Sequence, residues 1–242
     1  MTRSGLNSSG LTSSGLTSAV LTMPQRWFVS LLRAMTKVGA GHDMQPIHEE
    51  MVRTLGVGGT MKLMRLGAEV TSRLAHVVGD YTAQTVIAVA AMWNGCRYCV
   101  IGHNFSANLF RFRDVGLLGP LDEVDIVDMM SLTDRETLEA LRSKFETSEP
   151  RTWHLLERMY QLRFQAIEPV EPEDQLLKAT LAYWEWLNEC TIVLGIDAGP
   201  DNVPALGFMR PPAKLLRDYH HAREVARTSG DGPAGDGPAA QG

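Results

Sequence analysis

Cysteine is scarce in this chain, with three among 242 residues, which excludes a disulfide-stapled scaffold. A surplus of positive charge is also missing: 23 Lys and Arg stand against 28 Asp and Glu, for a net charge of -5. The aromatic residues, 7% of the chain, are not interleaved with Lys and Arg, so no nucleic-acid surface is expected. No run approaches the roughly 20 apolar residues needed to cross a bilayer, and the first residues lack the charged-then-apolar layout of a secretory signal. The expectation is a cytoplasmic protein without a membrane partner. The first acidic residue is Asp43, and an acid-poor leader has some transit-peptide character, but Arg3 is the one basic residue before Arg26.

What is present is an apolar fraction of 44%, enough for a substantial core, between two ends of low complexity. Residues 4–18 repeat a pentapeptide three times, as Ser-Gly-Leu-Asn-Ser and two copies of Ser-Gly-Leu-Thr-Ser. Residues 229–242 contain only Ser, Gly, Asp, Pro, Ala and Gln. Neither composition buries enough apolar surface to offset its ordering entropy, so residues 1–22 and 229–242 read as disordered tails around a body at 23–228.

Within the body apolar residues recur at helical spacing, and strict alternation bounded by hairpin turns is not found; the fold class is all-α. Pro24 opens a helix through Trp27, Leu31 and Met35 that the Gly39-Ala40-Gly41 stretch ends. Pro46 starts another, stopped near Gly56, and a third is expected over 60–77. Residues 81–93 are rich in Ala and Val and nearly free of charge, which suits a helix buried on most sides. Asn94-Gly95 breaks it and a new helix begins at Cys96. Thr133 and Glu136 have capping-box spacing and start a helix ending near Thr147. Further helices are expected from Pro150 through Phe164, over 173–194, and over 212–227. The pairing of Asn94-Gly95-Cys96 with Asn188-Glu189-Cys190, 94 residues later, hints at a duplication whose second copy lost the dithiol, with Val193 and Asp197 in place of Cys99 and His103.

The chemistry is concentrated in Cys96, Cys99 and His103. Positions three, four and seven apart share a helix face, so the two thiols and the imidazole align in one stripe. The thiolate is the nucleophile toward peroxides and disulfides, and a helix N-terminus or an adjacent imidazole stabilises it. Unpaired N–H groups and the helix dipole supply the first of these at Cys96 and Cys99. His103 is able to accept the thiol proton and return it to a leaving group. Residues three apart in a first turn have Cα atoms about 5 Å apart, within disulfide range. Spacing leaves open which thiol attacks. This helix start is expected to be reachable by solvent.

The run from Ile87 through Asn94-Gly95-Cys96-Arg97-Tyr98-Cys99 to His103 resembles the signature of alkylhydroperoxidase D-like proteins in the carboxymuconolactone decarboxylase superfamily. The resemblance covers some 30 to 40 residues around a CxxCxxxH core. It implies a helical bundle assembled as trimers or hexamers, which reduces hydroperoxides or partner disulfides without a bound organic cofactor. It also implies a thiol reductant or a peroxiredoxin-like redox partner protein. By that resemblance Cys99 attacks, Cys96 resolves and His103 relays protons. The family glutamate that joins the relay is replaced here by Gln84. An amide orients a histidine but does not exchange a proton as a carboxylate does, so weak peroxidase turnover is expected.

Two other readings follow from the same residues: a zinc or iron site using Cys96, Cys99 and His103, and a non-catalytic helical scaffold that keeps the motif. Glu69 is a remote candidate for a supplementary carboxylate. Cys190, in mostly apolar surroundings, reads as a buried inert thiol. Trp184 and Trp186 read as core or interface, His220 and His221 as solvated surface, and Gly56-Val57-Gly58-Gly59 lacks the Lys-Ser/Thr of a phosphate loop.

Overall fold

The computed structural model describes residues 20–40, 45–197, 199, 204–208 and 210–228. Both low-complexity segments, residues 1–19 and 229–242, lie outside the described residues, as does Gly41 of the expected helix stop. The described chain is all-α: α1 (Met23–Ala40), α2 (Gln45–Val78), α3 (Asp80–Asn94), α4 (Arg97–Val115), α5 (Glu123–Met129), α6 (Asp134–Phe145), α7 (Pro150–Phe164), α8 (Pro172–Val193) and α9 (Ala213–Thr228).

Several helix boundaries have a local cause. Before α1, the Thr22 N–H donates to Gln25 Oε1 at 2.8 Å, satisfying a donor at the helix start. Gly56 sits at φ 68 inside α2, and this glycine-only geometry kinks one long element where two separate helices were expected. Thr133 and Glu136 form the capping box of α6. A second capping box, Asp122 with Asp125, starts α5, an element that the apolar spacing did not reveal because it is only 7 residues long.

The core is organised around the α3–α4 pair, with α2, α7 and α8 packed against α3. Ala83 and the run from Val86 to Ala91 are fully buried. A helix lined by Ala and Val lets its neighbours approach on every side, which is why the charge-poor sequence reads as an interior element. α9 is held to α5 by a polar cluster. Arg223 donates to both carboxylate oxygens of Asp122, at 2.9 and 2.7 Å, and Tyr219 Oη donates to Glu123 Oε1 at 2.9 Å. Asn108 of α4 donates to the same Glu123 oxygen at 2.8 Å. Burial raises the Glu123 carboxyl above its usual range, against the pull of the Arg223 guanidinium. The 188–190 segment is continuous α8, whereas 94–96 is a helix break, so the sequence parallel between them is not a structural repeat.

Candidate functional site

The turn between α3 and α4 delivers the dithiol. Gly95, at φ 82, is left-handed; its N–H donates to Met92 O at 3.0 Å and the Cys96 N–H to Ala91 O at 3.1 Å. These two bonds form a Schellman arrangement that closes α3 and reverses the chain at once. Cys96 then caps α4, its sulfur accepting the Cys99 N–H at 3.4 Å. Cys96 and Cys99 are joined by a disulfide, with Cα atoms 5.4 Å apart. The first-turn placement expected for both cysteines is therefore present.

His103, one turn beyond Cys99, makes its polar contact elsewhere. Its Nδ1 lies 2.7 Å from Gln84 Oε1, and no hydrogen bond joins the ring to either sulfur among the described residues. The ring meets Trp184 edge-on, with centroids 4.5 Å apart at 78°. Burial pushes the imidazole pKa down to about 3, with the Leu206 backbone acting in the opposite direction. The imidazole is thus neutral at ordinary pH, and a neutral amide is a suitable partner for it. Gln84 positions the ring.

The expectation of a solvent-reachable helix start is corrected. Cys96 is 1% exposed and Cys99, His103 and Gln84 are each 3% exposed. The cause is tertiary: the sulfurs lie in the main apolar cluster with Trp184 and Leu206, and the segment 204–208 closes over α4. The Leu206 N–H donates to Gly102 O at 3.1 Å. A Cβ at Gly102 would stand 2.6 Å from Leu206 Cδ1, and one at Gly207 would stand 2.6 Å from the Gln84 amide atoms. Gly207 also sits at φ 90, so both glycines are required for this close cover.

The remaining candidates fall away from the dithiol. Glu69 is exposed, pairs with Arg73 at 3.5 Å and lines an open groove of about 990 Å³ between α2 and α8. Cys190 is half-buried rather than buried; burial, with Glu50 and Glu189 nearby, pushes its thiol up to about 11, which keeps it protonated and inert. His220 and His221 are exposed, as expected. No group of three His, Cys, Asp or Glu side chains able to hold a metal occurs among the described residues.

Two residues on α8 were not anticipated at the site. Trp184, read as core or interface, does lie in the main apolar cluster; it also touches His103, and its Nε1 is buried without a hydrogen-bond partner among the described residues. Asn188, fully buried, has neither amide atom paired among the described residues. A buried unpaired polar group costs about 1–3 kcal/mol, so such atoms call for a physical account. Nothing in the local sequence marks them, because their setting depends on helices distant in sequence packing against α8.

No protein family matches the chain, and neither curated proteins nor solved structures give a significant match.

Proposed function

We propose that the chain is a dithiol oxidoreductase of the alkylhydroperoxidase D type, which reduces hydroperoxides or partner disulfides through Cys96 and Cys99. The observation that carries this reading is a bridged cysteine pair at the N-terminus of α4 with a neutral, amide-oriented imidazole one turn further on. One thiolate attacks the terminal oxygen of ROOH; the S–O bond forms, the O–O bond breaks, and the departing alkoxide takes a proton to become ROH. The second thiol then displaces water from the sulfenic acid and the disulfide forms. An external dithiol, or a reduced thiol protein of the peroxiredoxin-partner kind, returns two electrons and two protons. Gln84 holds the neutral His103 ring in place one turn beyond Cys99, and the burial that lowers its pKa to about 3 makes it a weak base toward the thiol proton.

The N-cap site, where the Cys99 N–H points at the Cys96 sulfur, favours thiolate character at Cys96, whereas the family resemblance assigns attack to Cys99. Assembly into a homo-oligomer, trimeric or hexameric by that resemblance, is supported by an apolar stripe along α1. Met23, Trp27, Leu31, Met35 and Val38 recur at helical spacing and each is more than half exposed.

The test is direct. Reduced protein treated with one equivalent of peroxide should lose two titratable thiols, and mass spectrometry should find Cys96 bridged to Cys99 with Cys190 free. An unchanged thiol count removes the peroxidase reading. The burial of all four site residues favours a second reading, a helical binding protein that retains the motif. That reading wins if Cys99→Ser matches the parent in every redox assay while assembly and binding persist.

A further inference from the structure

Two contacts fix how α8 lies along α4. Near its middle, Trp184 meets the His103 ring at 4.5 Å; beyond its end, Asp197 pairs with Arg97 at 2.9 Å. Going from Trp184 toward Asp197 therefore means going from His103 back toward the start of α4, past Cys99 and Cys96. Asn188 is one helical turn from Trp184 in that direction and shares its face. It is fully buried, and Cys96 and Cys99 are buried as well. Along this face stand three polar atoms unpaired among the described residues: Trp184 Nε1 and the Asn188 Nδ2 and Oδ1. The ring of His103 is bonded to Gln84 and not to sulfur, so the interval between imidazole and dithiol lacks a hydrogen-bonded link among the described residues.

We propose that Trp184 Nε1 and the Asn188 amide bind the –O–OH group of a small hydroperoxide beside the dithiol. The inference rests on the dithiol reading above and adds the substrate contacts to it. The chemistry fits the group: a hydroperoxide has two oxygens that accept and one proton that donates, matching two kinds of donor and one acceptor on α8. When thiolate attack breaks the O–O bond, the departing oxygen keeps the electron pair, and a donor already aimed at it stabilises that charge. The proton released by the thiol reaches that oxygen by way of His103 or of the bound molecule itself. The buried setting favours hydrogen peroxide over bulky alkyl hydroperoxides.

The disulfide form allows binding to be read apart from chemistry, since it has no free thiol at this site. Hydrogen peroxide titrated into oxidised, 15N-labelled protein should shift the Trp184 indole and Asn188 side-chain resonances saturably. Asn188→Ala should weaken the effect about tenfold or abolish it, as loss of one buried hydrogen bond implies. Trp184→Phe, which keeps the ring and removes only the N–H, provides a second variant if the first does not fold; its readout is the Asn188 amide. Absent shifts, as from a site holding only water, overturn the inference, as do shifts that persist unchanged in the variants. On the reduced chain, Asn188→Ala should slow oxidation by peroxide about tenfold. Saturable binding to a parent whose thiols peroxide never oxidises would overturn the reaction and leave the binding site standing.

Discussion

At residue scale the decisive pair is His103 with Gln84. An imidazole held neutral by burial, with a folded pKa of about 3 against an ordinary 6.5, binds no proton over a range where the unfolded chain does. Stability from this group is complete above pH 6.5 and is lost as pH falls toward 3, with a slope of at most about 1.4 kcal/mol per pH unit. His103→Asn should flatten that acid limb in unfolding measurements; an unaltered slope would mean that the imidazole titrates normally. Gln84→Glu places a carboxylate 2.7 Å from the ring in place of an amide. It should raise the imidazole pKa, read from the His103 proton shifts by NMR, because an adjacent anion favours the imidazolium. The motif residues themselves were legible in sequence. Their spacing is a property of one helix, and Schellman and N-cap geometry need only neighbours within a few positions. The partner of the imidazole nitrogen, by contrast, comes from a residue 19 positions earlier.

Among the elements, α3 and α4 follow from their sequences, and the α2 kink at Gly56 follows from a stop that the sequence also shows. The cover over the site does not. Residues 204–208 have no periodicity, and they matter through Leu206 on Gly102 and Gly207 on Gln84. If this strap limits access, Leu206→Ala should increase the rate at which the reduced dithiol reacts with a bulky thiol reagent by about tenfold. It should also lower stability by about 2–3 kcal/mol, as truncation of a largely buried leucine does. Equal reagent rates in parent and variant would show that entry takes another route. The Asp197–Arg97 pair at the start of α4 is partly exposed and hence sensitive to salt.

For the whole molecule, the unusual feature is the outer face of α1. Its inner residues Val29 and Leu32 are buried, yet Trp27, Leu31 and Met35 are exposed, so apolar side chains lie on two sides of one helix. Exposed apolar stripes of this continuity mark association surfaces. Trp27→Glu combined with Leu31→Glu should reduce the mass measured by light scattering to that of a single chain, with helical content retained. A parent that already runs as a single chain would remove the oligomer from the proposal. Helix count is local information; association depends on which apolar face the core leaves unused, and the sequence pattern of α1 does not distinguish the two.

The sequence by itself determined the all-α class, most helix ends, and the CxxCxxxH stripe, because capping, helical periodicity and side-chain facing act within a few residues. Tertiary structure alone decided that the dithiol is enclosed, that His103 faces Gln84 and Trp184, and that Asn188 is buried with its amide unpaired among the described residues. Those outcomes arise from contacts between residues 19 to more than 100 positions apart, and burial, which sets the imidazole's charge, exists only once those segments have packed together.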